Sequence, residues 1–243
     1  MLSITSDGVE VIKNVDKQVQ FAKVKTINEL ATITRRGLVA EMRRVFRNPT
    51  AWTLGGIEIK YATKQQPEGK VGLKYANVKG TPVSKYLTPQ VYGGNRPERR
   101  TETWLREAGI LPRGMYVVPG KGAKKNKYGN MDAGQYTMIL SLLKALPDKF
   151  QNTSKNSKKR NKKLPNIFVI KTYEAGFYHG KLLPGVYQRT ANGIKPLLIF
   201  VNNPHYKIRF KMYEKGREII NANYKEVFGK SLAYAYRTAK GTP

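Results

Sequence analysis

The sequence predicts an α+β fold: a mostly antiparallel sheet packed against long N-terminal and C-terminal helices, with a helical and loop-rich middle insertion. Three observations predict it. Apolar residues recur at helical spacing from Asp16 to Phe46 and again from Phe210 to Ala235. Between Leu164 and Val201, short runs of β-formers alternate with turn signals. A sheet with one apolar face needs a covering layer, and amphipathic helices supply it. We expect a single elaborated domain over 1–243, its core formed by 15–76 plus 164–240. The expected insertion is 77–163, with a basic loop at 151–163.

In chain order, Leu2 to Ile12 alternates weakly and reads as an edge strand. Asp16 caps a helix that runs to about Phe46. Its apolar face is Val24, Ile27, Ala31, Leu38, Met42 and Val45, with Thr34 in the same stripe. Asn48-Pro49 ends it. Ile57–Ala62 and Val71–Ala76 alternate apolar with polar around a Pro- and Gly-bearing linker, which predicts a β-hairpin with one buried face. Thr81-Pro82 starts a short helix that should end before Pro89. Gly93-Gly94 is a hinge or turn, and Pro97 opens a helix through Ala108 that buries Trp104 and Leu105. Leu111 to Asn130 reads as loop, punctuated by proline and glycine. Asn130 or Asp132 starts a helix to Leu146, with Tyr136, Ile139, Leu140, Leu143 and Leu146 facing inward.

Gln151 to Lys163, QNTSKNSKKRNKK, contains no acid and no apolar residue, so it should be a mobile loop. Strands follow at Ile167–Ile170, Gly185–Arg189 and Lys195–Val201; the Ala-Asn-Gly connection makes the last two a hairpin. The final helix carries Phe210, Tyr213, Ile220, Tyr224, Val227, Leu232 and Ala235 on its apolar stripe. The expected core is Val24, Leu38, Met42, Ile59, Leu140, Leu143, Phe168, Ile170, Val186, Leu198, Phe200, Phe210 and Ile220.

Charge is the compositional outlier. Lys plus Arg number 45 against 16 acids, a net charge of +29 over 243 residues. Such a surface suits nucleic acid or an acidic protein, or is simply a solvated basic surface. Candidate contacts to DNA or to an acidic partner are Lys155, Lys158, Lys159, Arg160, Lys162 and Lys163 in the basic loop. Arg35, Arg36, Arg43 and Arg44, outside the stripe of the first helix, join them. For these four arginines a solvated basic face is the competing reading.

Catalytic chemistry is thinly represented. With no cysteine there is no disulfide, thiolate metal site or thiol nucleophile. The two histidines, His179 and His205, sit in turns beside aromatic residues, and no HxxxH, HExxH or DxD pattern occurs. Gly120-Lys-Gly-Ala-Lys-Lys lacks the spacing of a Walker loop. We therefore expect no catalytic residues, no cofactor and no metal. The N-terminus lacks an apolar signal core and no run reaches a membrane span, so a soluble protein without membrane contact is expected.

Two segments carry a family resemblance. One is TINELATITRRGLVAEMRRVF in the first helix, followed by a Pro-Thr turn and a strand ending Ala-Thr-Lys. The other is LLPGVYQRTANGIKPLLIFV with the helix closing in FGKSLAYAYRTA. Together they cover about half the chain and are similar to minor tail protein Z and related tail-completion or neck proteins of tailed bacteriophages. The resemblance implies a virion protein without catalysis, synthesised in the bacterial host cytoplasm. It would form a ring of copies at the head–tail junction, between portal or connector and tail proteins and near packaged double-stranded DNA. Residues 77–165 look like an elaboration of the family pattern. The alternative is a basic nucleic-acid-binding protein, free or carried inside the virion, that contacts phosphates non-specifically. A third class, a basic RNase using His179, Tyr178, Lys181 and Arg189, would need those groups gathered in one hairpin region.

Overall fold

The computed structural model describes residues 6–76, 80–171, 182–202 and 205–239, with backbone alone at 6–14. Its elements are helix α1 (Ser6–Val45), the short α2 (Ala51–Leu54), strands β1 (Ile57–Lys60) and β2 (Lys70–Leu73), and helix α3 (Val83–Tyr92). Then come strand β3 (Gly94–Asn95), helix α4 (Arg100–Glu107), strand β4 (Met115–Pro119), helix α5 (Ala133–Leu142), a 3-10 turn (Lys149–Gln151) and helix α6 (Lys155–Arg160). Strands β5 (Asn166–Ile170), β6 (Gly185–Thr190), β7 (Gly193–Asn202) and β8 (His205–Tyr206) precede the last helix, α7 (Met212–Arg237). The α+β class holds, with helices and antiparallel strands throughout. The chain divides into two compact units, Met1–Tyr92 with Ile208–Pro243, and Gly93–Lys207.

The first unit is organised around α1, which at 40 residues is about 60 Å long from a rise of 1.5 Å per residue. It runs antiparallel to α7: Phe21 stacks on Tyr234 at 6.3 Å, while Gly37 lies against Ile219. Small residues line the contact, with Ala22, Thr26, Ala31 and Thr34 on α1 and Gly216, Ser231 and Ala235 on α7, all buried. Their size lets two long helices approach closely. The β1–β2 hairpin, in register Ile57↔Leu73, is fastened to α1 by side chains. Asn28 donates to the Ala62 carbonyl (3.0 Å) and accepts from the Ala62 N–H (2.7 Å). Leu38, Met42, Ile57, Leu73, Val83, Leu87, Val91, Phe210 and Met212 form the core. Phe210 packs edge-on against Phe46 at 5.8 Å between centroids. The Arg209 and Phe210 N–H groups both donate to the Gln90 carbonyl at 2.9 Å, so the chain re-enters this unit beside the place where it left.

The second unit holds a four-stranded antiparallel sheet in the order β4-β7-β6-β5. Thr190 pairs with Gly193 across the Ala191-Asn192 turn, whose Gly193 has φ 110°, a conformation that favours glycine. Leu105, Ile110 and Leu111 join Ile139, Leu140, Ala145 and Leu146 against Val117, Val186, Leu197, Leu198 and Phe200 to make a separate core. A two-stranded stem, Gly94↔Tyr206 and Asn95↔His205, closes the ends of the unit.

Several expectations are corrected. The weak alternation at Leu2–Ile12 is not an edge strand where it is described, because α1 already begins at Ser6; residues 1–5 lie outside the described residues. Helix α3 does not stop before Pro89 but passes through it to Tyr92, with the proline ring buried. The interval Leu111–Asn130 is not all loop. It contains β4, paired to β7 from Met115↔Asn202 to Pro119↔Leu198. The basic stretch 151–163 includes a helical turn, α6, rather than loop alone. The long helices cover each other and the β1–β2 hairpin, whereas the larger sheet builds its core with α4 and the α5 region. The inserted segment is Gly93–Lys207, so strands expected to share a core with the terminal helices belong to it. Among expected core residues, Ile220 is 40% exposed, and Tyr213, placed on the same stripe, is 55% exposed. The buried face of α7 is instead Met212, Gly216, Val227, Ser231 and Ala235.

Candidate functional site

The basic segment after α5 is fixed by a network of short-range hydrogen bonds. Asp148 accepts the Phe150 N–H through its carboxylate (2.9 Å) and the Gln151 N–H through its carbonyl (3.1 Å). Asn152 reaches back, accepting from the Leu146 N–H (3.2 Å) and donating to the Leu146 carbonyl (3.0 Å). Ser141 donates to the Gln151 carbonyl (2.6 Å), and the Thr153 N–H donates to the Ser141 carbonyl (3.1 Å). Ser154 then caps α6 by accepting the Ser157 N–H at 3.0 Å. The turn is specified by Asp, Asn and Ser, the residue types that bond to neighbouring backbone.

Helix α6 is six residues long and buries none of them. Lys155, Lys158, Lys159 and Arg160 lie on it, with Lys162 and Lys163 just beyond; none of the salt bridges among the described residues involves them. Like charges three and four residues apart repel, and so short a helix has little cooperativity of its own. An anion against it would relieve that repulsion. Phe150, in the turn that precedes it, is 100% exposed.

The four arginines of α1 belong to the other unit and form a separate group. Arg35 is half-buried and donates from Nε to the Ile57 carbonyl at 3.0 Å, which ties β1 to α1. Arg44 pairs with Glu41 through two hydrogen bonds (2.8 and 2.6 Å), and this contact holds the Glu41 carboxyl below its usual range. Arg36 and Arg43 are exposed. Of the four, Arg36 and Arg43 therefore present the freer charge.

Other candidate chemistry is accounted for locally. Gly120 and Gly122 donate their N–H groups to the Leu197 and Pro196 carbonyls (2.9 and 2.8 Å), so these amides extend the sheet edge rather than cradle a phosphate. His205 is exposed in β8 opposite Asn95. His179, Tyr178 and Lys181 lie outside the described residues, and Arg189 stacks its guanidinium over Phe168 at 4.7 Å. Among the described residues no group of His, Cys, Asp or Glu could hold a metal ion, and no helix is long and apolar enough to cross a membrane.

Two features escaped sequence reasoning. One is a buried ion pair: Arg96 donates through Nη1 to Glu102 at 2.8 Å and through Nη2 to its other carboxylate oxygen. The Arg99 and Val117 N–H groups also donate to Glu102, each at 2.8 Å. Burial alone would raise the Glu102 pKa; Arg96 and the two N–H groups outweigh it and hold the carboxyl below its usual range. The other is an apolar groove of about 410 Å³ in the first unit, lined by Ile27, Leu30, Leu38, Val71, Met212 and Ile220. Thr34 also lines it, and its buried Oγ1 finds no hydrogen-bond partner among the described residues. A glutamate third in a helix that follows proline was the available signal for the first; the groove left none. Comparison of the chain with known protein families, curated proteins and solved structures finds no match.

Proposed function

We propose that this chain is a structural virion protein of a tailed bacteriophage, a tail-completion or neck component that assembles as a ring at the head–tail junction. In this reading it links portal-side to tail-side proteins, performs no chemistry and needs no cofactor. The observation that carries it lies on α7. This helix is covered by α1 along its small-residue face, yet it leaves Tyr213, Ile220 and Tyr224 exposed. Clustered apolar groups on one element favour burial against a neighbour. Sequence likeness to tail-completion proteins supports the same reading: of the residues that carry it, those of the first helix and FGKSLAYAYRTA fall on the α1–α7 pair, whereas LLPGVYQRTANGIKPLLIFV runs through β6 and β7 of the other unit. Native mass spectrometry of the purified chain, alone and with portal and tail proteins, tests it. A closed ring or a stoichiometric complex is expected, and Y224K, at a half-exposed residue outside the groove, should weaken it without lowering Tm. A chain that stays monomeric and joins neither class of partner would overturn the reading.

A second reading, a nucleic-acid-binding protein that is free or internal to the virion, is favoured by the unpaired cations on and after α6. Binding to duplex DNA should weaken with salt at a slope of about −0.9 per phosphate contact. Changing Lys155, Lys158, Lys159, Arg160, Lys162 and Lys163 to Gln should flatten that slope by up to about five units. Equal slopes for the two proteins would mean that the segment does not touch duplex DNA.

A further inference from the structure

We propose that the Lys149–Gln151 turn and α6 form a binding element for single-stranded nucleic acid, in which Phe150 stacks on a base while Lys155, Lys158, Lys159 and Arg160 take the adjoining phosphates. The inference rests on the second reading above and names its ligand class.

Phe150 is fully exposed, although it sits in one of the most closely hydrogen-bonded turns of the second unit. Its ring loses no native packing by being where it is, and the backbone beneath it is held from both sides. With the backbone already fixed, stacking a base on the ring costs only the freedom of its two side-chain torsions. Lys149 directly precedes the ring, and the run of cations begins five residues after it, at Lys155, on a helix whose remaining side chains are Asn156 and Ser157, both able to hydrogen-bond. No acid occurs from Lys149 to Lys163.

A ligand for this surface must carry closely spaced anions and a flat apolar group within the same short span. Single-stranded nucleic acid has both, since each nucleotide pairs a phosphate with an unstacked π-face. Duplex DNA offers the phosphates but keeps its base faces stacked inside, so Phe150 would find nothing to stack on. An anionic membrane would attract the charge, but α6 has no apolar face to insert, and one Phe gives a weak anchor.

The test measures fluorescence anisotropy of the full chain with labelled oligo-dT, with a labelled duplex, and co-sedimentation with phosphatidylserine vesicles. F150A should weaken oligo-dT binding by about 5- to 150-fold, the range of one base–aromatic stack. It should leave duplex affinity and Tm unchanged, and F150W should restore the oligo-dT affinity. K155Q/K158Q/K159Q/R160Q should weaken both nucleic acids and flatten the oligo-dT salt slope by about three units at about 0.7 per contact. Unchanged oligo-dT affinity in F150A with duplex binding intact would overturn the stacking proposal and leave the phosphate reading standing. Failure of the wild-type chain to bind either form above a polycation background would overturn both. Loss of vesicle binding in F150A without loss of oligo-dT binding would assign the turn to a membrane surface and overturn the proposal as well.

Discussion

Glu102 has no exposed surface yet carries a carboxylate, and every part of its setting answers that charge. Arg96 brings the opposite charge, and the N–H groups of Arg99 and Val117 occupy the remaining acceptor sites, so three segments of the second unit meet at one side chain. Removing one partner of such a pair leaves an uncompensated buried charge, which costs about 3–5 kcal/mol. E102A should lower unfolding free energy by that amount in urea titrations at neutral pH. The folded pKa of Glu102 lies below its ordinary value, so its contribution is complete above the unfolded pKa of about 4.3 and is lost as pH falls through the lower folded value. Wild-type Tm should therefore drop on acidification below about pH 4.3, and E102Q should show a shallower drop over the same interval. From the sequence, Trp104 and Leu105 were the residues of this helix expected to be buried, and Glu102 was not singled out. Its burial depends on Arg96 and on Val117, a residue in a strand that the sequence did not disclose. Phe150 was not singled out either: it directly precedes the basic run 151–163, and no local pattern marks its full exposure.

At the level of elements, what was legible followed from local chemistry, and what was not depended on partners. The β6–β7 hairpin and the β1–β2 hairpin are visible in the sequence because alternation and Gly-bearing turns are both local. Strand β4 was missed because its four-residue apolar run, Met115–Val118, lies between Gly114 and Pro119-Gly120, turn signals that read as loop, and pairing with β7 makes it a strand. On α7, large apolar residues suggested a buried stripe, but close packing on α1 selects small residues, leaving Tyr213 and Ile220 outside. Two glycines test this reading of the elements in opposite directions. Gly229 lies inside α7, and a Cβ there would meet nothing within 4 Å, so G229A should stabilise the chain by about 0.5–1 kcal/mol. Gly185 begins β6, where a Cβ would run into the backbone carbonyl oxygen of Leu198, which cannot rotate away as a side chain can. G185A should cost about 1–3 kcal/mol, read as a lower denaturant midpoint with unchanged m. A neutral G185A would mean that β6 and β7 can separate at that end without loss.

For the molecule as a whole, the two units are related as host and insert. The boundary escaped composition because it falls at Gly93-Gly94, a turn signal, whereas the basic run at 151–163 attracted the expected boundary. Both glycines have positive φ, 77° and 87°, the left-handed region that favours glycine as the chain leaves α3. On the host side, Gln90 accepts from Arg209 and Phe210, so the two ends of the interrupted unit are already side by side. On the insert side, the β3–β8 stem joins the ends in the same way. Each unit also has its own core: one drawn from Leu38 to Val91 plus Phe210 and Met212, the other wholly from Leu105 to Phe200. A host with adjacent ends needs only a short loop to close it, and shortening that loop lowers closure entropy. Replacing Gly93–Lys207 with a brief Gly/Ser connection should therefore leave a cooperatively folding helical protein, seen by circular dichroism and a single thermal transition. Gly93–Lys207 expressed alone should also unfold cooperatively. If the first variant lost its transition while the second kept one, the α1–α7 pair would depend on the insert for its stability, and the host's core would be too small to stand alone. If Gly93–Lys207 failed to fold, the stem and core between Leu105 and Phe200 would not suffice for an independent unit.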